Sequence, residues 1–360
     1  MIKKLDWYII KKFLTTFSTT LGLFIIIIVV FDVSEKLDDF LTNHAPLSAI
    51  IFDFYLNYIP NFLNLFSPIF IFISVIFFTS KLASRTEVVA MLASGISYRR
   101  FLRPYIITAT LLAILSFMLN GWIIPKADKK RIEFENRYVR ETDKKFANAV
   151  HRQIKPGTML YIGYFTQNDS TGGDIALEKF NATELESKMY AKRISWNKKT
   201  KKWKLDDYFI RDYNKDGSEK IKRGTTIDSA IEFNPDDFFM RTDDVQSFNM
   251  TELNDFIEKE EMRGASNTDF YVTEKYRRYA SPFSTFILVI IGVCVSSKKS
   301  RGGVGLNLGI GILLSFLYLF VIQYFISYGN QGKIFPMLAV WYPNLIFGFI
   351  AFILYRKVQK

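Results

Sequence analysis

The stretch Ser84-Arg-Thr-Glu87-Val88-Val-Ala-Met91-Leu92-Ala-Ser-Gly95-Ile-Ser97 lies between two long apolar segments, and its reading decides the architecture. Ser84 followed three residues later by Glu87 is a capping-box pattern, in which each side chain satisfies an orphan backbone N–H at a helix start. A helix is therefore predicted to begin at Ser84. Val88, Met91 and Leu92 fall at i, i+3 and i+4 on one face, and Gly95 stands where a left-handed helix stop is wanted. About ten residues carrying Arg85 and Glu87 are too short and too charged to cross the roughly 30 Å of hydrocarbon in a bilayer. The segment must lie beside the membrane, either packed on its own bundle as a re-entry helix or presented to a partner.

Around it, six runs of 18 residues or more carry no charged side chain: 13–31, 59–80, 104–125, 280–297, 302–332 and 334–355. A helix in a soluble core would almost always show a charge within such a length, so these read as six transmembrane helices. Lys3 and Lys4 resemble the start of a signal peptide, but the run that follows is too long and no Ala-x-Ala cleavage site succeeds it, which predicts a retained anchor.

Basic residues set the orientation, because Lys and Arg in short loops resist translocation. One side collects Lys3, Lys4, Lys11, Lys12, Lys81, Arg85, Arg99, Arg100, Arg103, Lys298, Lys299, Arg301, Arg356, Lys357 and Lys360, whereas the opposite short loops offer only Lys36 and Lys333. Both termini and the residue 84–97 segment are expected on the cytoplasmic side. The net charge of +12 is explained by this rim meeting anionic lipid, and nucleic acid is not required as a partner. The lone Cys294 has no partner for a disulfide or a cysteine-based metal site.

Taken in order, the first helix runs outward and is predicted to end in an acidic exit, Asp32, Glu35, Lys36, Asp38 and Asp39. The outer half of the second places Asn57, Asn61 and Asn64 at i, i+4 and i+7, continued by Pro68. Such a row is costly against lipid tails, so it turns either to interhelical hydrogen bonds or to a wet cavity. Past the third helix stand Lys126, Lys129, Lys130 and Arg131, mirrored by Lys275, Arg277 and Arg278 ahead of the fourth. Between these collars the composition becomes polar with short β-branched and aromatic runs, predicting a water-facing domain of about 150 residues. Residues 158–166, 187–197 and 201–213 have strand chemistry, with turns at 197–200 and at Asp216-Gly217, which suggests a sandwich or jelly roll. Residues 251–264 close it as an amphipathic helix through Leu253, Phe256 and Ile257. Tyr55, Tyr58, Trp122, Tyr324, Tyr328, Trp341 and Tyr342 fit an interfacial aromatic belt. The expected organisation is 1–125 for three transmembrane helices with the short helix, 126–276 for the β domain and 277–360 for three more helices.

Several chemistries are set aside. No Gly-x-x-x-x-Gly-Lys-Ser/Thr phosphate loop occurs, so ATP is not bound by this chain alone. Asp212-x-Asn214-x-Asp216-Gly217 copies the opening of a calcium loop, but its twelfth position is Arg223 rather than Glu, and strands flank it. His44 and His151 lack ligand-spaced companions. Neighbouring carboxylates at Asp206-Asp207, Asp236-Asp237 and Asp243-Asp244 point to opposite faces of a strand and make poor acid–base pairs.

Three helices, a large extracytoplasmic β domain, three helices and a cytoplasmic helix reading Glu87-Val-Val-Ala-Met-Leu-Ala-Ser-Gly95-Ile-Ser together resemble the lipopolysaccharide export permease family LptF/LptG. Ser80-Lys81-Leu82 through Ser97, the opening Leu5-Asp6-x-Tyr8-Ile9, and Arg278 with Pro282 are the most specific parts, and the opening leans toward the LptG member. The resemblance implies an inner-membrane permease rather than an enzyme, paired with a second homologous permease. It also implies a cytoplasmic ABC ATPase dimer that binds the ATP and Mg, so that this chain carries no cofactor or metal. A periplasmic bridge protein with a β-jellyroll would receive the lipopolysaccharide.

By the same resemblance Arg85, Glu87, Val88, Met91, Leu92 and Gly95 form a coupling helix seated on the ATPase. Family members carry basic residues at the outer end of helix one, where this chain is acidic save Lys36. Phosphate contact is therefore expected to move to Lys126, Lys129, Lys130, Arg131, Lys275, Arg277 and Arg278, with Lys36, Asn57, Asn61 and Asn64 as further lipid contacts. Two other readings stand beside it: a permease of another ABC exporter for lipoproteins or peptides, and a membrane-anchored receptor or scaffold.

Overall fold

A computed structural model of the chain describes residues 3–139, 146–166, 169–182, 184–198, 200–214, 218–229, 231, 235, 242–263, 265, 267–298 and 302–358. Lys299, Arg301, Lys360, Asp216-Gly217 and Asp236-Asp237 lie outside them. Six helices are long and apolar enough to cross a membrane: α1 (Lys4–Thr42), α2 (Leu47–Ser84), α4 (Tyr98–Tyr138), α6 (Thr268–Ser296), α7 (Gly303–Asn330) and α8 (Pro336–Val358). The short α3 (Glu87–Ala93) stands between α2 and α4. Six strands follow, β1 (Phe146–Lys155), β2 (Thr158–Thr166), β3 (Thr171–Asn181), β4 (Glu184–Asn197), β5 (Lys202–Tyr213) and β6 (Glu219–Ser229), and α5 (Met250–Met262) precedes α6.

The chain divides into two compact units. The helical one comprises Met1–Val139, Gln246–Leu253 and Asp269–Lys360. Its helices outrun their apolar cores: the 39 residues of α1 extend about 58 Å at 1.5 Å per residue, nearly twice the hydrocarbon thickness. Asp32, Glu35, Lys36, Asp38 and Asp39 are thus part of α1 rather than a segment beyond it, with an Asp32–Lys36 ion pair at i,i+4 supporting the last turns. Likewise α4 passes through a π-helical turn at Leu119–Ile123 and continues to Tyr138, so Lys126, Lys129, Lys130 and Arg131 ride on the same helix.

One buried cluster joins Phe13 of α1, Phe78 of α2 and Tyr105 of α4, with ring centroids 5.4 to 6.4 Å apart, to Val289 and Val293 of α6. The Tyr105 hydroxyl is matched by Thr79 at 3.0 Å, which satisfies a polar group that would otherwise be costly inside the bundle. A second cluster sets Phe72 and Ile76 of α2 against Leu288 and Ile291 of α6, Tyr318 of α7 and Phe347 of α8. The α7 side of this packing is a stripe of small and polar residues, Asn307, Gly311 and Ser315, all buried. Asn307 donates to Ser80 Oγ at 3.0 Å, and a Cβ on Gly311 would lie 2.4 Å from Ile76 Cδ1.

The second unit comprises Arg140–Val245 and Asn254–Thr268. Its strands pair antiparallel in chain order, β1 to β6, as one six-stranded meander. The all-β expectation is met, while the described strands show no Greek-key crossover of the jelly-roll kind. Leu160 and Ile162 of β2, Ile175 of β3, Met189 and Ala191 of β4, and Trp203 and Leu205 of β5 form its apolar core. The sequence reading named three of the six strands. It passed over β1, β3, which opens Thr-Gly-Gly-Asp, and β6, because alanine, asparagine, glycine and lysine carry little strand propensity. Gly172 is required where it stands: it faces Phe165 across the ladder, and a Cβ there would lie 2.5 Å from the Tyr164 backbone carbonyl oxygen.

Candidate functional site

The short helix does not begin at Ser84. Ser84 is the last residue of α2, and its hydroxyl donates back to the Lys81 carbonyl at 2.9 Å. The chain then reverses through Thr86 in the left-handed conformation, φ 61°, and α3 starts at Glu87 without a side-chain cap. The capping-box expectation is corrected because α2 keeps its backbone ladder to Ser84, which leaves that side chain on the wrong helix. Gly95 does act as the stop, at φ 86°, with its N–H bonded to the Leu92 carbonyl.

Burial divides the predicted face of α3. Val88 is 1% exposed and packs into the cluster of the helical unit, and Met91 lies half-buried against the same cluster. Leu92 is exposed and is joined outward by Val89, at 55%. Arg85 and Gly95 are exposed and Glu87 is half-buried. The apolar surface offered outward is therefore Val89 and Leu92, while Val88 and Met91 fix the helix from behind.

Contacts of high sequence separation hold this helix in place. The Tyr8 hydroxyl donates to Glu87 Oε2 at 3.1 Å. Two residues before Tyr8, Asp6 accepts from both guanidinium nitrogens of Arg100, Nη1 to Oδ1 at 2.6 Å and Nη2 to Oδ2 at 2.7 Å. Asp6 is 2% exposed and also accepts from the Lys3 backbone N–H. The first two turns of α1 thus touch the residue that opens α3 and a residue of the first turn of α4. Sequence reasoning used Leu5-Asp6-x-Tyr8 as a family mark and missed this role. The available signal was one carboxylate set among Lys3, Lys4, Lys11 and Lys12.

At the other end of the helical unit, the amide row resolves into hydrogen bonding. Asn61 donates to Asp128 at 2.9 Å and to Gln246 at 3.3 Å, and Asn64 accepts from Ser116 at 2.7 Å. Asn57 turns back to the carbonyls of Phe52 and Asp53 in the π-helical segment Ile50–Tyr55.

Most of the cations are paired. Lys36 is bonded to Asp32 and lies over the rings of Phe54 and Tyr58, and Asp32 accepts from Tyr55 at 2.9 Å. Arg131 binds Asp128 and Glu135, and Lys129 binds Glu252 at 2.9 Å. That lysine holds the Glu252 carboxyl below its usual range against the opposing effect of burial, with a further, smaller lowering from the Asn249 backbone N–H. Arg277 and Arg278 share Glu274, and Arg278 also donates to the Phe248 carbonyl at 2.6 Å. No ion pair is recorded for Lys126, Lys130 or Lys275 among the described residues, and the two on α4 are exposed. No cluster of His, Cys, Asp or Glu suited to a metal occurs among the described residues either.

The chain matches the family model for the lipopolysaccharide export system permease LptF/LptG over residues 7–357. It is 22% identical over 318 residues to the lipopolysaccharide export system permease protein LptF of Escherichia coli (strain K12), covering 82% of this chain and 79% of that one. The LptF proteins of Escherichia coli O157:H7 and Shigella flexneri match to the same extent. Identity of this order identifies the family rather than one of its two members.

Proposed function

The chain belongs to the lipopolysaccharide export permease family LptF/LptG, and from that premise we propose how it is driven and where it meets its cargo. It is a permease subunit of lipopolysaccharide export, a multi-pass membrane protein and not an enzyme, and it works within the export complex.

In our reading it resides in the inner membrane with both termini cytoplasmic, as the basic loops require. It pairs with a second homologous permease and is powered by an ABC ATPase dimer that holds the nucleotide and Mg, with no cofactor in this chain. The ATPase docks on Arg85, Glu87, Val89 and Leu92, while Val88, Met91 and Gly95 shape and anchor α3. The observation that carries this is the pairing of an outward apolar surface, Val89 and Leu92, with a backing fixed by buried Val88 and by the Tyr8–Glu87 bond to α1, which Asp6 and Arg100 tie in turn to α4. A helix so held passes on a push rather than absorbing it.

Lipopolysaccharide enters from the outer leaflet and leaves through the β unit toward a periplasmic bridge. Lys126, Lys130 and Lys275 contact its phosphates. Lys36, Lys129, Arg131, Arg277 and Arg278, with Asn57, Asn61 and Asn64, form the paired framework beside them. The test is Glu87→Arg in the reconstituted complex, read as ATP hydrolysed against lipopolysaccharide released. Hydrolysis is expected to persist while release falls at least about tenfold, equivalent to about 1.4 kcal/mol. Full release by this variant refutes the assignment of α3.

A further inference from the structure

A crevice of about 260 Å³ opens between α4, α6 and α8, walled by Leu102, Phe286, Ile290, Gly348, Phe352 and Tyr355. Every wall residue is apolar except for the Tyr355 hydroxyl. Its volume is below the range of about 300–1,000 Å³ typical of pockets that enclose a drug-sized molecule, so it fits a length of hydrocarbon chain rather than a whole ligand. From Gly348 to Tyr355 it extends about 10 Å along α8 at 1.5 Å per residue. That is a third of the roughly 30 Å hydrocarbon layer, so the crevice stays within one leaflet.

Its mouth is cationic. Arg356 follows the wall residue Tyr355, and its guanidinium sits 5.3 Å from the ring centroid of Phe352, itself a wall residue. Lys357 follows Arg356, and Arg103 follows Leu102 on the facing helix; all three cations are exposed. Neither Arg356 nor Lys357 has a carboxylate partner among the described residues. A hydrocarbon slot contained within one leaflet, opening beneath an exposed guanidinium at the end of a membrane-spanning helix, matches one chemistry: an acyl chain below an anionic phosphate.

We propose that this crevice is a resident site for an anionic phospholipid, one acyl chain lying between Phe286, Ile290 and Gly348 and the phosphate held by Arg356. The site is separate from the lysines assigned to lipopolysaccharide, and its bundle position gives the occupant a structural, stabilising part.

The test uses the full chain in phosphatidylcholine vesicles doped with a photoactivatable phosphatidylglycerol whose reactive group is on the acyl chain. Labelling is expected on the peptide carrying residues 348–355, and a photoactivatable phosphatidylcholine is expected to label it at least about fivefold less. Arg356→Gln should lower phosphatidylglycerol labelling by about the same factor. Gly348→Leu should abolish it by filling the slot, whereas Gly348→Ala, whose Cβ would lie 3.9 Å from Ile287 Cδ1, should retain it and serve as the folding control. Equal labelling by the two lipids, or labelling unchanged in both Arg356→Gln and Gly348→Leu, overturns the proposal. So does a photoreactive residue at position 352 that yields an adduct with another polypeptide, which would make the crevice a seat for a partner's helix. Lipopolysaccharide release measured on the same variants separates failure here from failure of the export reading.

Discussion

Tyr8 reaches Glu87 across 3.1 Å, joining the second turn of the first transmembrane helix to the residue that opens α3, 79 positions later. Asp6, two residues before Tyr8, holds Arg100 just beyond that helix. A segment of seven residues has too few backbone bonds to be stable by itself. Its position is set by these two clasps and by Val88, buried behind it.

Tyr8→Phe removes the hydroxyl and nothing else. The bond is exposed, so unfolding stability should change by less than about 1 kcal/mol. The expected effect is on coupling: ATP hydrolysis by the assembled complex stays near its usual rate while lipopolysaccharide released per ATP declines. An unchanged ratio assigns the contact to packing alone.

Asp6→Ala leaves a guanidinium that is only 26% exposed without its carboxylate. Removing one member of such a pair should lower stability, by less than in the fully buried case because water still reaches Arg100. The double variant Asp6→Ala/Arg100→Ala should recover part of that loss, since no unpaired charge remains. Thermal unfolding in detergent of both singles and the double gives the cycle, and strict additivity would show that the pair has no coupling energy.

What could be read from the chain followed the range of the interactions. Six uncharged runs report hydrophobic length directly, and the helices they announce are all present. The capping-box reading failed at Ser84 but describes Asn249, whose side chain accepts from the Thr251 and Glu252 backbones while Glu252 accepts from the Asn249 N–H. Ser84 lacks what Asn249 has, a chain already free of the preceding helix. Periodicity also found an apolar face on α3 without telling which part turns inward, because valine stands at both 88 and 89. The Asp6–Arg100 clasp, 94 residues apart, leaves no local pattern, whereas the neutralisation of Arg131, Arg277 and Arg278 by carboxylates three or four residues away on their own helices is a local pattern that the sequence reading overlooked.

Gly311 sets how closely α7 approaches α2. Gly311→Ala places a Cβ against Ile76 Cδ1 and should destabilise by about 1–3 kcal/mol through overpacking. Ile76→Val deletes that one terminal carbon, so the double variant should be more stable than Gly311→Ala alone. Detergent unfolding midpoints that show no rescue would mean the strain arises elsewhere.

The collar cations should separate by role. Arg278→Ala strips a donor from the Phe248 carbonyl and a partner from Glu274, which is 9% exposed, and should cost about 2–4 kcal/mol of stability. Lys275→Ala and Lys130→Ala should leave the unfolding midpoint within about 0.5 kcal/mol of the parent while lowering photo-crosslinking to lipopolysaccharide. Equal crosslinking in the lysine variants would remove them from the lipid path.

Two of the six membrane-crossing helices, α1 and α7, contain no proline, and they are also the two least buried. Each of the other four carries a proline within its length, at Pro60 and Pro68, Pro104, Pro282 or Pro343. A continuous hydrogen-bond ladder resists buckling under axial load, whereas a proline kink bends. α1 therefore forms a strut about 39 Å long from Asp6 to Asp32. Under the proposed docking, a thrust on α3 reaches α1 at Tyr8 and has a stiff route along that strut to the Asp32–Lys36–Tyr55 knot at its other end.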